Sequence, residues 1–119
     1  MDYLKQRKIT NFSNVNFEPF DNYGSVTPGM SWYKITYKKE TGIGTYLLKM
    51  NPGAKSLFHE HSSYEEFIML EGELIDLDDK VFKKGDIVTY EPGSSHSSYT
   101  KTGCLILVFM RSKNKPIKN

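Results

Sequence analysis

The sequence predicts an all-β fold, a sandwich or barrel of eight to ten short strands. Segments rich in β-branched and aromatic residues alternate with turns rich in Gly, Pro, Asn and Asp. No stretch of adequate length has a helical period. The chain has 119 residues, 13% of them aromatic, so a single domain can bury a core without disulfides.

The barrel is expected to follow an irregular arm. Residues 1–30 are polar and Asn-rich, and we expect an N-terminal arm that packs on the barrel through its aromatic side chains, with one short strand near 15–20. Residues 31–112 should form the barrel, and residues 113–119 a flexible C-terminal tail. The strands expected in the barrel are 31–37, 43–50, 57–61, 65–70, 74–77, 81–82, 87–90, 96–100 and 104–110. The turns that separate them include 38–42, 51–53, 71–72, 78–79, 84–86 and 92–93.

The segment 65–70 has apolar residues on both faces of the expected strand. Phe67 and Met69 alternate with Ile68 and Leu70. We therefore expect both faces to be covered, one by the interior and the other by the arm or a partner subunit.

Charge and cysteine content exclude several classes of function. The net charge is only +2, and the basic residues are scattered apart from the two ends, whereas a nucleic-acid-binding domain needs a dense basic stripe. The single cysteine, Cys104, excludes an intramolecular disulfide and multi-Cys zinc motifs, and its apolar neighbours predict a buried, inert thiol. There is no apolar stretch of membrane-spanning length and no signal-type core at the N-terminus. We expect a cytoplasmic protein with no nucleic-acid or membrane partner.

All three histidines of the chain fall in two short segments. His59 and His61 are separated by one residue, so they point to the same side if this stretch is extended. Glu65 follows His61 by four residues, and His96 comes after a second turn-rich stretch. Imidazoles with one carboxylate suit a borderline divalent metal, so the sequence predicts a metal-binding constellation.

The spacing of these residues closely resembles the two motifs of the cupin superfamily. The first motif is matched by Gly53, His59, His61, Glu65 and Gly72, and the second by Gly85, Gly93 and His96. Glu91 stands where the second motif usually has proline, and Thr100 where it usually has asparagine. Neither departure touches a metal ligand, but the contact made by Thr100 is left open.

Within that superfamily the chain looks like the ChrR-type cupin domain, some stand-alone members of which are similar to acetylacetone-cleaving dioxygenases. The resemblance rests on the runs 65–74, 90–96 and 103–109. The anti-sigma domain fused to some relatives has its own His/Cys zinc site. This chain has no His or Cys before residue 53, so it resembles a stand-alone version.

The resemblance implies a cupin double-stranded β-helix, or jelly-roll barrel, in which His59, His61, Glu65 and His96 bind one divalent transition metal. Iron is the first expectation, and Mn, Ni, Co and Zn are the alternatives. Such a ligand set leaves coordination positions open for water, dioxygen or a small-molecule substrate.

The sequence also predicts how some side chains near the expected ligands are oriented. Glu60 and Glu66 should point away from the metal by strand alternation, and Phe67 and Met69 should form an apolar wall beside it. The candidate polar groups of the pocket are Tyr46, Tyr90, Ser98 and Tyr99. The sequence does not fix the orientation of these four residues, nor that of Tyr33, Met50 and Val108. No catalytic residue is assigned.

Three functions fit these expectations. The first is a small metal-dependent oxygenase that acts on a small carbonyl or carboxylate compound. The second is a non-catalytic metal-bound sensor or ligand-binding domain, as in ChrR-like regulators, and the third is a non-redox lyase or isomerase. A homodimer is also expected, because the aromatic residues of the arm can cover a sheet edge of a neighbouring subunit.

Overall fold

The computed structural model describes residues 3–117, and this range contains ten β-strands and no helix. The strands are β1 (Glu18–Pro19), β2 (Met30–Lys34), β3 (Gly44–Met50), β4 (His59–Glu60), β5 (Glu65–Ile75), β6 (Val81–Lys83), β7 (Ile87–Tyr90), β8 (Ser95–His96), β9 (Cys104–Met110) and β10 (Lys115–Pro116). The all-β prediction is confirmed. Among the described residues, no helix is long and apolar enough to cross a membrane.

The strands form two antiparallel sheets. The larger sheet has seven strands in the order β1-β2-β3-β9-β5-β6, with β7 also paired to β5. The smaller sheet has the order β10-β4-β8. Because β9 lies between β3 and β5, the chain returns across the sheet instead of forming a simple meander, which is typical of a jelly roll.

Two strands that the sequence predicts as separate, 65–70 and 74–77, are parts of one strand. β5 runs without interruption from Glu65 to Ile75. Its pairing with β9 shifts register between Met69 and Glu71, and Gly72 has a φ of 74°. The separation predicted at Gly72 is wrong because a glycine with positive φ accommodates a bulge inside a strand as well as a turn at its end.

The two faces of β5 are covered unequally. Phe67 and Met69 are buried, whereas Ile68 and Leu70 on the other face are half-buried. Cover of both faces is therefore only partial within this chain. Cys104, opposite Gly72 on β9, is buried, and burial raises the pKa of its thiol to about 11. This agrees with the predicted inert thiol.

The N-terminal arm contributes to the core of the barrel. The strand β1 pairs with β2, and the next residue, Phe20, is buried against Trp32 with ring centroids 4.6 Å apart in an edge-on arrangement. Aromatic pairs of this kind add about 0.5–1.5 kcal/mol beyond their area burial. The strand β2 begins at Met30, one residue inside the expected arm.

The C-terminal segment is not the free tail predicted for residues 113–119. Lys115–Pro116 forms β10 on the edge of β4, and the side chain of Asn114 is buried. A polar composition suggested a tail, but pairing with a strand edge depends on backbone groups, which composition does not reveal. Residues 118–119 lie outside the described range.

Gly72 provides a test of this architecture. A Cβ at position 72 would overlap the carbonyl oxygen of Gly103, while a Cβ at Gly85, which also has positive φ, would meet nothing within 4 Å. We expect Gly85→Ala to cost about 1–2 kcal/mol through backbone strain alone. Gly72→Ala adds a backbone clash and should lower the free energy of unfolding by more than about 3 kcal/mol. Urea unfolding measures both values, and equal costs would contradict the close approach of β5 and β9.

Candidate metal centre

The smaller sheet brings the three histidines together. His59 in β4 lies directly opposite His96 in β8. His61 follows β4, where its N–H donates to the carbonyl of Ser94 at 2.9 Å and its carbonyl accepts from the N–H of Gly93 at 2.8 Å. These backbone bonds hold His61 on the same side as His59, as the spacing of the two residues predicts.

The imidazole rings of these residues form a tight buried cluster. Their centroids are 4.7 Å apart for His59 and His96, and 4.9 Å apart for each of the two pairs that include His61. One nitrogen from each ring lies within 4.8 Å of the other two. His61 is fully buried, and His59 and His96 are each 7% exposed. Three converging imidazole nitrogens can hold one divalent ion.

Each histidine uses its Nδ1 atom to contact the protein. His59 Nδ1 lies 2.7 Å from the carbonyl oxygen of Leu57, and His61 Nδ1 lies 3.0 Å from Ser94 Oγ. His96 Nδ1 lies 2.7 Å from a carboxylate oxygen of Asp76. Partners of this type fix the tautomer and the ring orientation of metal-bound histidines.

The opposite nitrogens are left without partners. Nε2 of His61 and Nε2 of His96 are buried and make no hydrogen bond. Buried polar atoms are rarely unsatisfied in proteins, so two such nitrogens in one cluster fit a site that receives a metal ion. Burial also lowers the pKa of His59 to about 4, which leaves its imidazole neutral near pH 7.

Glu65 lies at the edge of this cluster. Its Oε1 atom is 3.6 Å from His61 Nε2, and it accepts a hydrogen bond of 2.8 Å from the amide of Asn114. Burial raises the pKa of Glu65, but His61 and Asn114 outweigh it and hold the pKa below its usual range. The carboxylate is therefore ionised beside the three imidazoles, and its role as a fourth ligand stays a prediction.

Asp76 is a residue of this site that sequence reasoning missed. One carboxylate oxygen accepts from His96 Nδ1 and from Ser98 Oγ, at 2.7 and 3.2 Å, and the other accepts from the hydroxyl of Tyr90 at 2.5 Å. Burial raises the pKa of Asp76, but the bonds from His96 and Tyr90 prevail and lower it to about 2. The available signal was a lone acid inside an otherwise apolar predicted strand, 74–77.

A small cavity of about 60 Å³ opens beside the histidines, with mostly apolar walls. Its lining is Phe20, Tyr23, Met30, Tyr46, Leu48, Met50, Ser56, Leu57, His59, Glu65, Phe67, Leu74, His96, Ser98, Ile106, Val108 and Asn114. Phe67 thus forms part of the predicted wall, whereas Met69 is buried in the core and lies outside the lining.

The remaining pocket candidates divide into two groups. Tyr46 and Ser98 line the cavity, as do Met50 and Val108. Tyr33, Tyr90 and Tyr99 do not line the cavity. The ring of Tyr90 instead stacks on the imidazole of His61, with ring centroids 4.7 Å apart.

Two residues near the motifs make contacts away from the histidines. Glu66 forms an ion pair with Arg111 at 2.7 Å. The hydroxyl of Thr100 donates to the carbonyl of Glu73 at 2.6 Å and accepts from the N–H of Gly103 at 2.9 Å. Thr100 therefore links β5 to the turn that comes immediately before β9.

The family of this chain follows from a match along most of its length. The family profile of the ChrR cupin-like domain matches residues 5–114. The chain belongs to the ChrR cupin-like domain family. No curated protein sequence matches this ChrR cupin-like domain significantly.

Solved structures similar to this ChrR cupin-like domain have different functions. An acetylacetone dioxygenase from Acinetobacter johnsonii is 16% identical with a TM-score of 0.74, and the match covers 100% of this chain and 86% of that one. The polyketide cyclase RemF from Streptomyces resistomycificus is 17% identical with a TM-score of 0.76, and the match covers 96% and 87% of the two chains. A chain in the structure of Rhodobacter sphaeroides SigE in complex with the anti-sigma ChrR is 18% identical with a TM-score of 0.67. That match covers 85% of this chain and 51% of the other one. At these identities the similarity establishes the cupin fold alone.

His61 tests the metal centre of this domain directly. We expect His61→Ala to remove most bound divalent metal and to leave the β fold largely intact, since a metal held in a preformed site is not needed to build the barrel. Elemental analysis of dialysed protein and far-UV circular dichroism measure the two properties. Glu60→Ala, one residue earlier and on the other side of β4, is the control and should retain metal. An unfolded His61→Ala protein would mean that the ion is structural.

Asp76 allows a second test at the same centre. Asp76→Asn keeps the size of the side chain but removes the charge that supports His96, so the affinity for a divalent metal should fall by about 10–100-fold. Competition with a chelator measures this affinity. Asp78→Asn, in the exposed turn after β5, is the control. An unchanged affinity in Asp76→Asn would contradict a supporting role for Asp76.

Proposed function

We propose that this ChrR cupin-like domain is a metal-dependent enzyme of the dioxygenase type that acts on a small carbonyl or carboxylate compound. The observation that carries the proposal is a cluster of three buried imidazoles, two with unpartnered Nε2 atoms, beside a small apolar cavity. A fold does not imply a reaction, so the fold shared with an acetylacetone dioxygenase supports this reaction class only by analogy.

The ligands of the ion in this proposal are His59, His61, His96 and Glu65. Iron is the first candidate, because imidazole and carboxylate ligands without thiolate suit Fe, Mn, Ni, Co and Zn, and iron also binds dioxygen. When bound, such an ion would act as a Lewis acid toward a carbonyl oxygen and would offer a binding position for dioxygen.

The size and the lining of the cavity favour a small substrate. A volume of about 60 Å³ admits only a compact molecule, and the apolar walls exclude water from the reacting atoms. The lining contains neither Lys nor Arg, so a ligand with several negative charges would have no cationic partner except the ion. A carbonyl compound or a single carboxylate therefore fits better than a polyanion.

The tyrosines of the cavity act as hydrogen-bond donors in this proposal. Burial raises the pKa of Tyr46 and of Tyr23 above the usual tyrosine value, which already lies well above neutral pH, so both hydroxyls are protonated and can donate. They can orient a carbonyl oxygen but are poor bases.

Oxygen consumption tests the proposal. The Fe(II)-loaded full chain should consume dioxygen in the presence of some compounds from a panel of β-dicarbonyl and small 2-oxo compounds. Zn(II)-loaded protein is the matched control and should consume none. If no compound raises oxygen consumption above the background of Fe(II) alone, the dioxygenase proposal is wrong.

A non-catalytic sensor or ligand-binding domain is the second candidate. The observation that favours it is the family of this chain, which is that of the ChrR cupin-like domain. A partner protein released by ligand or oxidant would support this function, whereas turnover of a defined substrate would exclude it.

A non-redox lyase or isomerase is the third candidate, and the fold shared with the polyketide cyclase RemF favours it. Activity with Mn(II) or Zn(II) in the absence of dioxygen would distinguish it from the oxygenase. For all three candidates we propose a cytoplasmic homodimer.

A further inference from the structure

The C-terminal segment is anchored to the barrel around the metal centre. We call residues 112–117 the C-terminal strap. Lys115 and Pro116 pair with Glu60 and His59 in β4, and the N–H of Ile117 donates to the carbonyl of Phe58 at 2.9 Å. The strap therefore forms the edge of the sheet that carries the first histidine.

The other end of the strap is fixed just as firmly. Ser62 Oγ hydrogen-bonds to Ser112 Oγ at 2.8 Å and also donates to the carbonyl oxygen of Lys113. A Cβ on Gly42 would overlap the backbone of Lys113, so the strap lies directly against this glycine. Fixed points on both sides leave Asn114 little freedom of position.

Asn114 is the residue through which the strap reaches the metal centre. Its Nδ2 atom donates to Glu65 Oε1 at 2.8 Å, and both side chains are buried. The same oxygen lies 3.6 Å from the unpartnered Nε2 of His61. Asn114 thus holds one oxygen of the carboxylate beside an imidazole whose nitrogen has no other partner.

Tyr23 of the N-terminal arm also interacts with Asn114. The hydroxyl of Tyr23 interacts with the side chains of Asn114 and Asn22, and the hydroxyl of Tyr37 donates to Asn22 at 2.8 Å. The Tyr23 ring also stacks on His59 with centroids 6.1 Å apart. The arm and the strap therefore meet at Asn114, which in turn holds the carboxylate of Glu65.

We propose that Asn114 is a positioning residue of the metal centre, whose amide holds the Glu65 carboxylate beside His61 and so sets the affinity of the site for a divalent ion. The proposal rests on the metal centre of the proposed function, but not on any reaction carried out there. Buried carboxylates that serve as ligands are themselves hydrogen-bonded, and loss of such a partner typically weakens metal affinity by about 10–100-fold.

Cobalt(II) binding to the full chain tests the proposal. Asn114→Leu keeps the approximate size of the side chain and removes its N–H donor. We expect its Co(II) affinity, measured by competition with a chelator, to fall by about 10–100-fold. The visible absorption spectrum of the Co(II)-loaded variant should also change, because this spectrum depends on the ligands and their geometry.

Two controls separate positioning of Glu65 from anchoring of the strap. Ser62→Ala removes one anchor of the strap but keeps the backbone pairing of the strap with β4 and the donor of Asn114. Lys115→Ala alters an exposed residue of β10. Both should keep the wild-type Co(II) spectrum and an affinity within about twofold of wild type. A matching loss in Ser62→Ala would mean that the strap acts only as a structural anchor, and would overturn the proposal.

The remaining outcomes are also decisive. If Asn114→Leu does not fold, Asn114→Ala should show the same spectral change, since it too lacks the donor. A folded Asn114 variant with wild-type affinity and spectrum overturns the proposal while the metal centre stands. A wild-type chain that does not bind Co(II) overturns the metal centre, and the proposal with it.

Discussion

The hydrogen bonds at the three Nδ1 atoms are the interaction on which the site depends. Leu57, Ser94 and Asp76 each contact one histidine through this nitrogen. Without these partners the imidazoles could rotate, and desolvation would favour contacts with each other's ring nitrogens. With them, the rings are locked and two Nε2 atoms remain buried and unsatisfied. Buried nitrogens without partners cost free energy, whereas the same nitrogens are favourable ligands when an ion lies between them.

The spacing of the motifs was enough to predict the histidine cluster, because the geometry is local to two strands. His59 and His61 share a side through the period of an extended chain, and one antiparallel pairing adds His96. The spacing of the motifs does not predict the residues that hydrogen-bond to the expected metal ligands. Asp76 is 20 residues from His96, and Asn114 is 49 residues from Glu65. Such contacts depend on strand register, which a single sequence with short strands does not specify.

Two of the errors in the predicted fold have related physical causes. Gly72 was read as a turn because glycine is common there, but the same freedom of φ permits a bulge inside β5. The polar composition of residues 113–119 predicts a flexible tail, yet the backbone of Lys115 and Pro116 pairs with β4 and Asn114 is buried. In both cases the backbone, rather than side-chain composition, determined the structure. The bounds of β7 and β9 agree with the predicted strands 87–90 and 104–110.

The charge of the site limits what it can bind. Near pH 7 the described lining has one carboxylate, Glu65, and tyrosines whose hydroxyls stay protonated. A divalent ion held there would leave a net charge of about +1 with Glu65 alone, and of about zero once the ionised Asp76 that hydrogen-bonds to His96 is included. Electrostatic interactions within the low-dielectric walls are stronger than in water. A ligand with no charge or one negative charge would balance this site, and a polyanion would not. In the proposed function the ion would therefore supply most of the attraction for a ligand, while the apolar walls would limit the size and shape of that ligand.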